Sequence, residues 1–555
     1  MADVRSPDVC RAALERATAL AAPLSAYLDQ ARRAVRDRLV GADGKIDARR
    51  LDEQQRALHT LAWTATVGQA VLELGRWAQA AENRGVFGTA EALVLAIAQA
   101  EYVSQIVGGI VMSQSEIARP VDLGLQAQAA ALAADPAVRA VCDAGLDPAS
   151  RRALYQLLVD GVSVDESLAD DTLDLMRSHT RRFVRERIRP FAHRWHLEDR
   201  LVPDEIVGEM AELGIFGLTI APEFGGQGLG KLAMCVVSEE LSRGWIGVGS
   251  LGTRSEIAGE LIAGSGTPEQ KARWLPAIAD GSVLPCAVFT EPNVGSDLAS
   301  VQTRAERQAD GSWRVTGAKT WTTHGARSDL MTLLARTDPT RAGHDGLSML
   351  LAAKPRGRDD EPFPAAGMSG GEIKVLGYRG MKEYEIAFDG FAVAADGLLG
   401  DAQGQGFRQL MKTFESARIQ TAARALGVAW DAWDVAWRYA DERRQFGRPI
   451  GQFARVHDKL AMMLVEIIAA RELTYFAARA RDTGKRCDLE AGMAKLLAAR
   501  VASANADSAL QIHGGNGYAL EYDASRLFCD ARILNIFEGA AEIQAQVIGR
   551  RLIEA

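Results

Sequence analysis

Phe289-Thr-Glu-Pro-Asn-Val-Gly-Ser-Asp297 and Gly317-Ala-Lys-Thr-Trp-Thr-Thr-His-Gly325 decide how this chain is organised. The first reads as a strand ending in a Pro/Gly turn, with hydroxyl and backbone donors at its mouth. The second reads as a strand that carries Thr322 and Thr323 beside an indole. Such a surface hydrogen-bonds the polar edge of a planar heterocycle while Trp321 packs on its face. Either piece alone is also a plain β-turn or a strand tryptophan; the pairing is what carries information.

Strand-like runs surround these segments at 283–290, 313–316, 330–336, 347–352 and 384–393, separated by turn signals such as Asp310-Gly311, Gly317 and Gly346. They predict a small antiparallel β-domain. Upstream, 172–280 reads as a helical block. Its loop Pro222-Glu-Phe-Gly-Gly-Gln-Gly-Leu-Gly230 is not a G-x-G-x-x-G fingerprint and has no βαβ context. Downstream, Ile419, Ala423, Leu426, Trp430, Trp433 and Trp437 recur at spacings of three and four, which puts six apolar groups on one helix face. Three indoles in one stripe are read as core. Further helices are expected at 453–483, 489–512 and 539–553, pairing as an antiparallel bundle. The N-terminal part is rich in Ala, Leu, Glu, Gln and Arg and reads as helix throughout, with long pieces at 48–83 and 89–115, shorter ones at 122–134 and 148–162, and an acidic linker at 165–171. The expected domains are a helical extension (1–164), a helical domain (170–282), a middle β-domain (283–397) and a C-terminal helical bundle (398–555). The fold class is mainly α with a central β-domain.

A length of 555 residues exceeds one compact domain, in keeping with this division. The net charge of −8 argues against a nucleic-acid binder working by bulk electrostatics. Six scattered cysteines with no C-x-x-C indicate neither a disulfide framework nor a zinc site, and a reducing cytoplasm fits them. The eight histidines form no H-E-x-x-H, so no metal is expected. The first residues lack an apolar signal core. The most apolar stretch, 93–112, is broken by Gln99, Glu101, Ser104 and Gln105, and is read as a buried helix and not a membrane span.

The paired segments resemble the flavin-binding segments of the acyl-CoA dehydrogenase family. Four more pieces follow in that family's order: Leu376-Gly-Tyr-Arg-Gly380, Arg443-Arg-Gln-Phe-Gly-Arg-Pro-Ile450, Gln511-Ile-His-Gly-Gly-Asn-Gly-Tyr518 and Ile536-Phe-Glu-Gly-Ala-Ala-Glu-Ile-Gln544. The resemblance runs from about residue 172 to the C-terminus and implies the acyl-CoA dehydrogenase fold: a helical domain, an antiparallel β-barrel or sandwich and a four-helix bundle, here with an added N-terminal helical extension. It implies FAD as cofactor. Phe289, Thr290, Trp321 and Thr323 would lie against the isoalloxazine, and Ser296 near the pyrophosphate. Arg443 and Phe446 would reach the FAD of a neighbouring subunit, and Gln511, Gly514 and Gly515 its ADP part. Glycines suit that contact, because a side-chain-free backbone lets a diphosphate approach closely.

Glu538 occupies the family's catalytic-base position, flanked by Phe537 and Gly539 at the substrate. A carboxylate acts as base where burial brings its pKa toward the operating pH. The Glu538 backbone N–H, with a ribityl hydroxyl of FAD, would hydrogen-bond the thioester oxygen where charge develops. By spacing alone Glu538 also reads as a helix-dipole residue. The alternative base position in some members is Ala417 here, ahead of Arg418, which is expected to support the site. Ala540, Glu542 and Ala454 depart from the Thr, Gln and Gln common in the family; no catalytic group is lost.

The pocket floor of the family corresponds to 252–258, with Thr253 and Arg254. Fatty-acyl members keep this wall apolar or neutral, and the helix neighbours of Arg254 at plus three and plus four are Ile257 and Ala258. With the extension, the full architecture resembles a member of the family that acts on a branched C4 dicarboxylyl thioester; the resemblance implies such a substrate, with Arg254 or a neighbour clamping its distal carboxylate. Straight-chain, branched and glutaryl-type members, an acyl-CoA oxidase, and a DNA-associated alkylation-response flavoprotein of this fold are the alternatives. Implied partners are an acyl-CoA, an electron-transfer flavoprotein as acceptor and further copies of the chain in a homodimer or homotetramer; no nucleic acid and no membrane are expected, and the location expected is the bacterial cytoplasm.

Overall fold

A computed structural model of the chain describes residues 6–41, 43–113 and 115–554. The backbone divides into two compact units: one runs up to Leu175 and resumes at Thr421, the other spans Met176–Gln420.

The first unit is helical and joins the extension to the C-terminal helices. Its opening helix, Pro7–Leu39, lies in the part read as helical but was not marked out as one piece, and Pro23 lies inside it. An interior proline costs about 3 kcal/mol. The helix persists because Leu20, Leu24, Tyr27, Ala31, Val35 and Leu39 form one buried stripe, and each large side chain withdrawn from water returns about 1.5–3 kcal/mol. Gln55–Asn83 and Thr89–Gly108 pack beside it, and the stretch expected to continue to 115 instead turns into a short hairpin, Ile110–Val111 with Ile117–Ala118. Among the described residues Thr89–Gly108 alone is long and apolar enough to cross a membrane, but 72% of its most apolar window is buried in the protein, so it is a core helix.

The C-terminal helices Ala454–Asp482, Asp488–His513 and Ala541–Glu554 pack on this extension. A Cβ at Gly549 would overlap Leu58, so glycine is what lets the last helix approach Gln55–Asn83. Arg500 bonds Glu466 at 2.7 Å and lies 3.5 Å from the Tyr102 hydroxyl of the extension. Of the indole stripe read as core, Trp430 is buried and Trp433 and Trp437 are half-buried: Trp433 stacks on Trp437 with centroids 5.4 Å apart, and Tyr155 of the extension packs on Trp437 at 5.6 Å. Helix Asp523–Ile533, absent from the sequence reading, is held by buried Arg526, whose Nη2 donates to buried Asp431 at 2.8 Å.

The second unit places helices, chiefly Lys231–Gly244, Ile246–Ser265 and Pro268–Ala279, before a seven-stranded sheet. The sheet was expected to be wholly antiparallel; it is mixed, since Pro285–Val288 runs parallel to Leu330–Arg336. A strand closing onto a non-sequential neighbour leaves no local pattern to read. Two strands, Arg304–Arg307 and Met368–Ile373, also escaped detection; the first has one buried residue of four, and the second holds Gly370 and Gly371. The central pair is Trp313–Thr323 against Glu383–Val393. Its register slips between Lys319 and Thr322, where one extra residue makes a β-bulge.

Candidate active site

The bulge organises the first constellation. Trp321 takes φ +54 and stands 56% exposed, an apolar ring turned out of the sheet between half-buried Thr320 and buried Thr322. Thr323 is buried and its hydroxyl donates to Glu383, 2.8 Å from Oε1. Thr322, the neighbouring hydroxyl, has a buried Oγ1 with no hydrogen-bond partner among the described residues. Thr290 accepts the Thr320 N–H through its carbonyl at 2.9 Å, so the two quoted segments meet. Lys319 joins them from beneath: its Nζ donates to the Phe289 carbonyl at 2.8 Å and to Glu291 at 3.1 Å, while Glu291 accepts the N–H groups of Gln302 and Thr303. Burial pushes the Lys319 ammonium down to about 8, with Glu291 opposing. Phe289 packs edge-on to Phe414, and Ser296 is exposed in the turn that follows.

Behind the sheet lies the expected pocket wall. Thr253 is fully buried and bonds back to the Gly249 carbonyl at 3.4 Å; Arg254 is 7% exposed, with Nη2 3.5 Å from the Tyr378 hydroxyl. Glu256, two residues on, is engaged by Lys231 and Thr219. His324 shares this interior. It is buried at φ +65, and neither ring nitrogen has a partner among the described residues. Burial, reinforced by Lys354, Arg356 and Arg254, pushes the imidazole down to about 3. Arg418 is half-buried on Gly406–Glu442.

The second constellation belongs to the other unit and is a turn between helices. Glu538 takes φ +55 and Gly539 φ +88. A non-glycine residue held there costs about 1–3 kcal/mol, a strain typical of functional turns. Two fully buried side chains hold it: Lys495 Nζ donates to the Gly539 carbonyl at 2.6 Å, and Gln544 Nε2 donates to the Glu538 carbonyl at 3.0 Å. A Cβ at Gly539 would overlap the Gln544 amide, so glycine is required twice over. Phe537 lies under the guanidinium of Arg424, 5.0 Å from ring centroid to its carbon. Arg424 Nη2 is 3.9 Å from Glu538 Oε1. Lys495, Gln544 and Arg424 were missed by sequence reading. Only Arg424 left a signal, a lone cation within Ala422-Ala-Arg-Ala-Leu426.

In the same unit, Phe446 is 93% exposed at φ +51 at the tip of a hairpin, next to exposed Arg443. Gln511, Gly514 and Gly515 are exposed at the end of Asp488–His513, and a Cβ on either glycine would meet nothing within 4 Å. Open glycine backbone and an uncovered aromatic ring suit a ligand from outside the chain. Within the other unit, the exposed indole and the unpartnered Thr322 hydroxyl suit the face and edge of a flavin. The residues present therefore fit FAD.

Comparison with known proteins gives the same picture. The acyl-CoA dehydrogenase N-terminal, middle and C-terminal domains match 170–282, 286–391 and 404–553. The chain is 58% identical to (2S)-methylsuccinyl-CoA dehydrogenase of Cereibacter sphaeroides over 534 residues, 96% of each protein. It is 34% identical to glutaryl-CoA dehydrogenase of Desulfococcus multivorans, covering 68% of this chain and 95% of that one. Among solved structures, butyryl-CoA dehydrogenase from Megasphaera elsdenii superposes with a TM-score of 0.65 at 31% identity, over 70% of this chain and all of its own. A glutaryl-CoA dehydrogenase from Mycobacterium smegmatis in complex with FADH2 gives 0.63 at 27% identity, over 69% and 95%. By its sequence, its fold and its matched domains, this chain belongs to the acyl-CoA dehydrogenase family and is an FAD-dependent oxidoreductase.

Proposed function

We propose that the chain oxidises (2S)-methylsuccinyl-CoA to mesaconyl-CoA, with Glu538 taking the α-proton. One observation carries the substrate: the 58% identity covers 96% of the chain and so takes in most of the N-terminal extension, whereas the 34% relative covers about two-thirds of the chain. Bound FAD supplies the acceptor for the β-hydride. The protein's own residues do the rest. The Glu538 carboxylate receives the proton, and its backbone N–H is assigned to the thioester oxygen. Phe537, Gly539, Thr253 and Arg254 are assigned to substrate binding, with Arg418 in support. Arg254 is the candidate clamp for the distal carboxylate, since a buried guanidinium at that wall matches a charged acyl end and would serve a fatty acyl chain poorly.

Trp321, with the segment joined by Lys319, holds the flavin face, and Thr290, Ser296 and Thr323 border it. Arg443, Phe446, Gln511, Gly514 and Gly515 are assigned to the cofactor of a neighbouring copy, which makes the active form a homo-oligomer, dimer or tetramer. An electron-transfer flavoprotein is the assigned acceptor and the bacterial cytoplasm the assigned location.

The test is anaerobic loss of flavin absorbance with a panel of straight, branched and carboxylated acyl-CoAs. Methylsuccinyl-CoA should bleach the flavin fastest; a faster reaction with glutaryl-CoA or butyryl-CoA would move the assignment to that substrate. Arg254→Ala should raise KM for methylsuccinyl-CoA by about tenfold or more while sparing butyryl-CoA, given the usual strength of a buried charge-assisted bond. Equal effects on both would remove the clamp.

A further inference from the structure

We propose that Arg424 is a positioning residue for the Glu538 carboxylate, an inference that rests on Glu538 being the base. Arg424 is fully buried midway along Gly406–Glu442, between Ala422, Ala423, Ala425 and Leu426, which are equally buried. A guanidinium withdrawn from water is tolerated where an anion and hydrogen-bond acceptors surround it. Here Nη2 donates to Thr421 Oγ1 at 2.8 Å, one helical turn back, and the same nitrogen lies 3.9 Å from Glu538 Oε1. The plane of the cation also rests over Phe537, the residue before the base. Arg424 therefore addresses both the carboxylate and the turn that presents it.

The distance matters as much as the charge. A short bidentate pair would occupy the carboxylate oxygens that must receive a proton. At 3.9 Å the contact is too long for a hydrogen bond, yet close enough to orient the carboxylate by charge. The bond to Thr421 limits how far the guanidinium can advance, and its planar fork cannot swing as an ammonium does. The Glu538 side chain is only 11% exposed, and the two bonds to the turn's carbonyls hold its strained backbone, while the Arg424 charge acts on the carboxylate itself.

The experiment is anaerobic single-turnover reduction of the purified holoenzyme by methylsuccinyl-CoA and butyryl-CoA, comparing wild type with Arg424→Met, Arg424→Gln and Arg424→Lys. Arg424→Met should lower the limiting rate about ten- to hundredfold with both thioesters, the usual cost of a misplaced catalytic group. The apparent Kd should move by less than about threefold, and Arg424→Lys should restore part of the rate, because its charge returns although its ammonium is free to swing. In a Glu538→Asp background, where the shortened base no longer meets the cation, Arg424→Met should cost less than about threefold, since coupled residues are non-additive. Should Arg424→Met fail to fold, the Gln and Lys variants give the same comparison. Wild-type rates in Arg424→Met and Arg424→Gln would overturn the proposal. So would a loss confined to methylsuccinyl-CoA, which would make Arg424 a holder of the substrate's own carboxylate. Failure of the underlying reading looks different: Glu538→Gln would then reduce flavin at the wild-type rate.

Discussion

The two constellations both force a non-glycine residue into left-handed backbone, and they support it in opposite ways. Trp321 sits in an 11-residue strand, and its bulge is bracketed by ladder pairs, Lys319 with Ile386 on one side and Thr322 with Tyr384 on the other. Glu538 has no ladder. Its turn lies between two helices, and the carbonyls on either side of the bend depend on one lysine and one glutamine. Strain carried by a sheet is shared among many backbone bonds, whereas strain carried by a turn rests on individual side chains. The sheet should thus tolerate side-chain changes that the turn does not.

The largest effect tests the turn directly. Glu538→Gln should lower flavin reduction by about 10²–10⁴-fold or more without loss of fold, the range lost with a general base. Stopped-flow absorbance reads it, and reduction at the normal speed would remove the mechanism. Next, Gln544→Ala and Lys495→Met should slow reduction about ten- to hundredfold by loosening the bend. Thr320→Ala, at the bulge, should cost far less; equal losses at the two places would abolish the contrast.

His324 sharpens it in the pH dimension. Its imidazole sits at about 3 in the folded chain against 6.5 when free. Above pH 6.5 it is neutral in both states and contributes nothing. As pH falls below that, the unfolded chain takes the proton first, so stability drops by about 1.4 kcal/mol per pH unit until the folded pKa is reached. Denaturant titrations of wild type and His324→Gln from pH 7 to 4 should diverge, the variant falling less steeply; parallel slopes would refute this. The smallest effect is expected at Trp321. With 56% of the residue exposed, Trp321→Ala should change the stability of the apoprotein by no more than about 0.5 kcal/mol, yet weaken FAD retention measured by equilibrium dialysis. A large loss of apoprotein stability would mean that the ring packs on the chain itself.

Much of this organisation was legible in the chain. The order of helical and β regions followed from period and turn residues, because 3.6-residue and two-residue repeats are local properties. Phe289, Trp321 and Glu538 were picked out by motif, since each lies in a short contiguous segment. That Pro7–Leu39 runs unbroken through Pro23 was not legible, because local propensity argues against an interior proline and only the buried stripe outweighs it. The parallel strand pair was hidden for a related reason: nothing in Pro285–Val288 names Leu330–Arg336 as its neighbour.

By itself, then, the sequence determined the family, the cofactor class and the residue that serves as candidate base, since those depend on groups adjacent along the chain. Tertiary structure alone decided that Lys495, Gln544 and Arg424 surround Glu538, that Lys319 joins the two flavin-facing segments, and that the Thr323 hydroxyl turns to Glu383 while the Thr322 hydroxyl has no partner among the described residues. These contacts span from 6 residues to more than a hundred, as between Glu538 and Gln544 or Arg424 and Glu538. They exist because folding brings distant groups out of water together, where a charge or a carbonyl must find whatever partner the packing supplies.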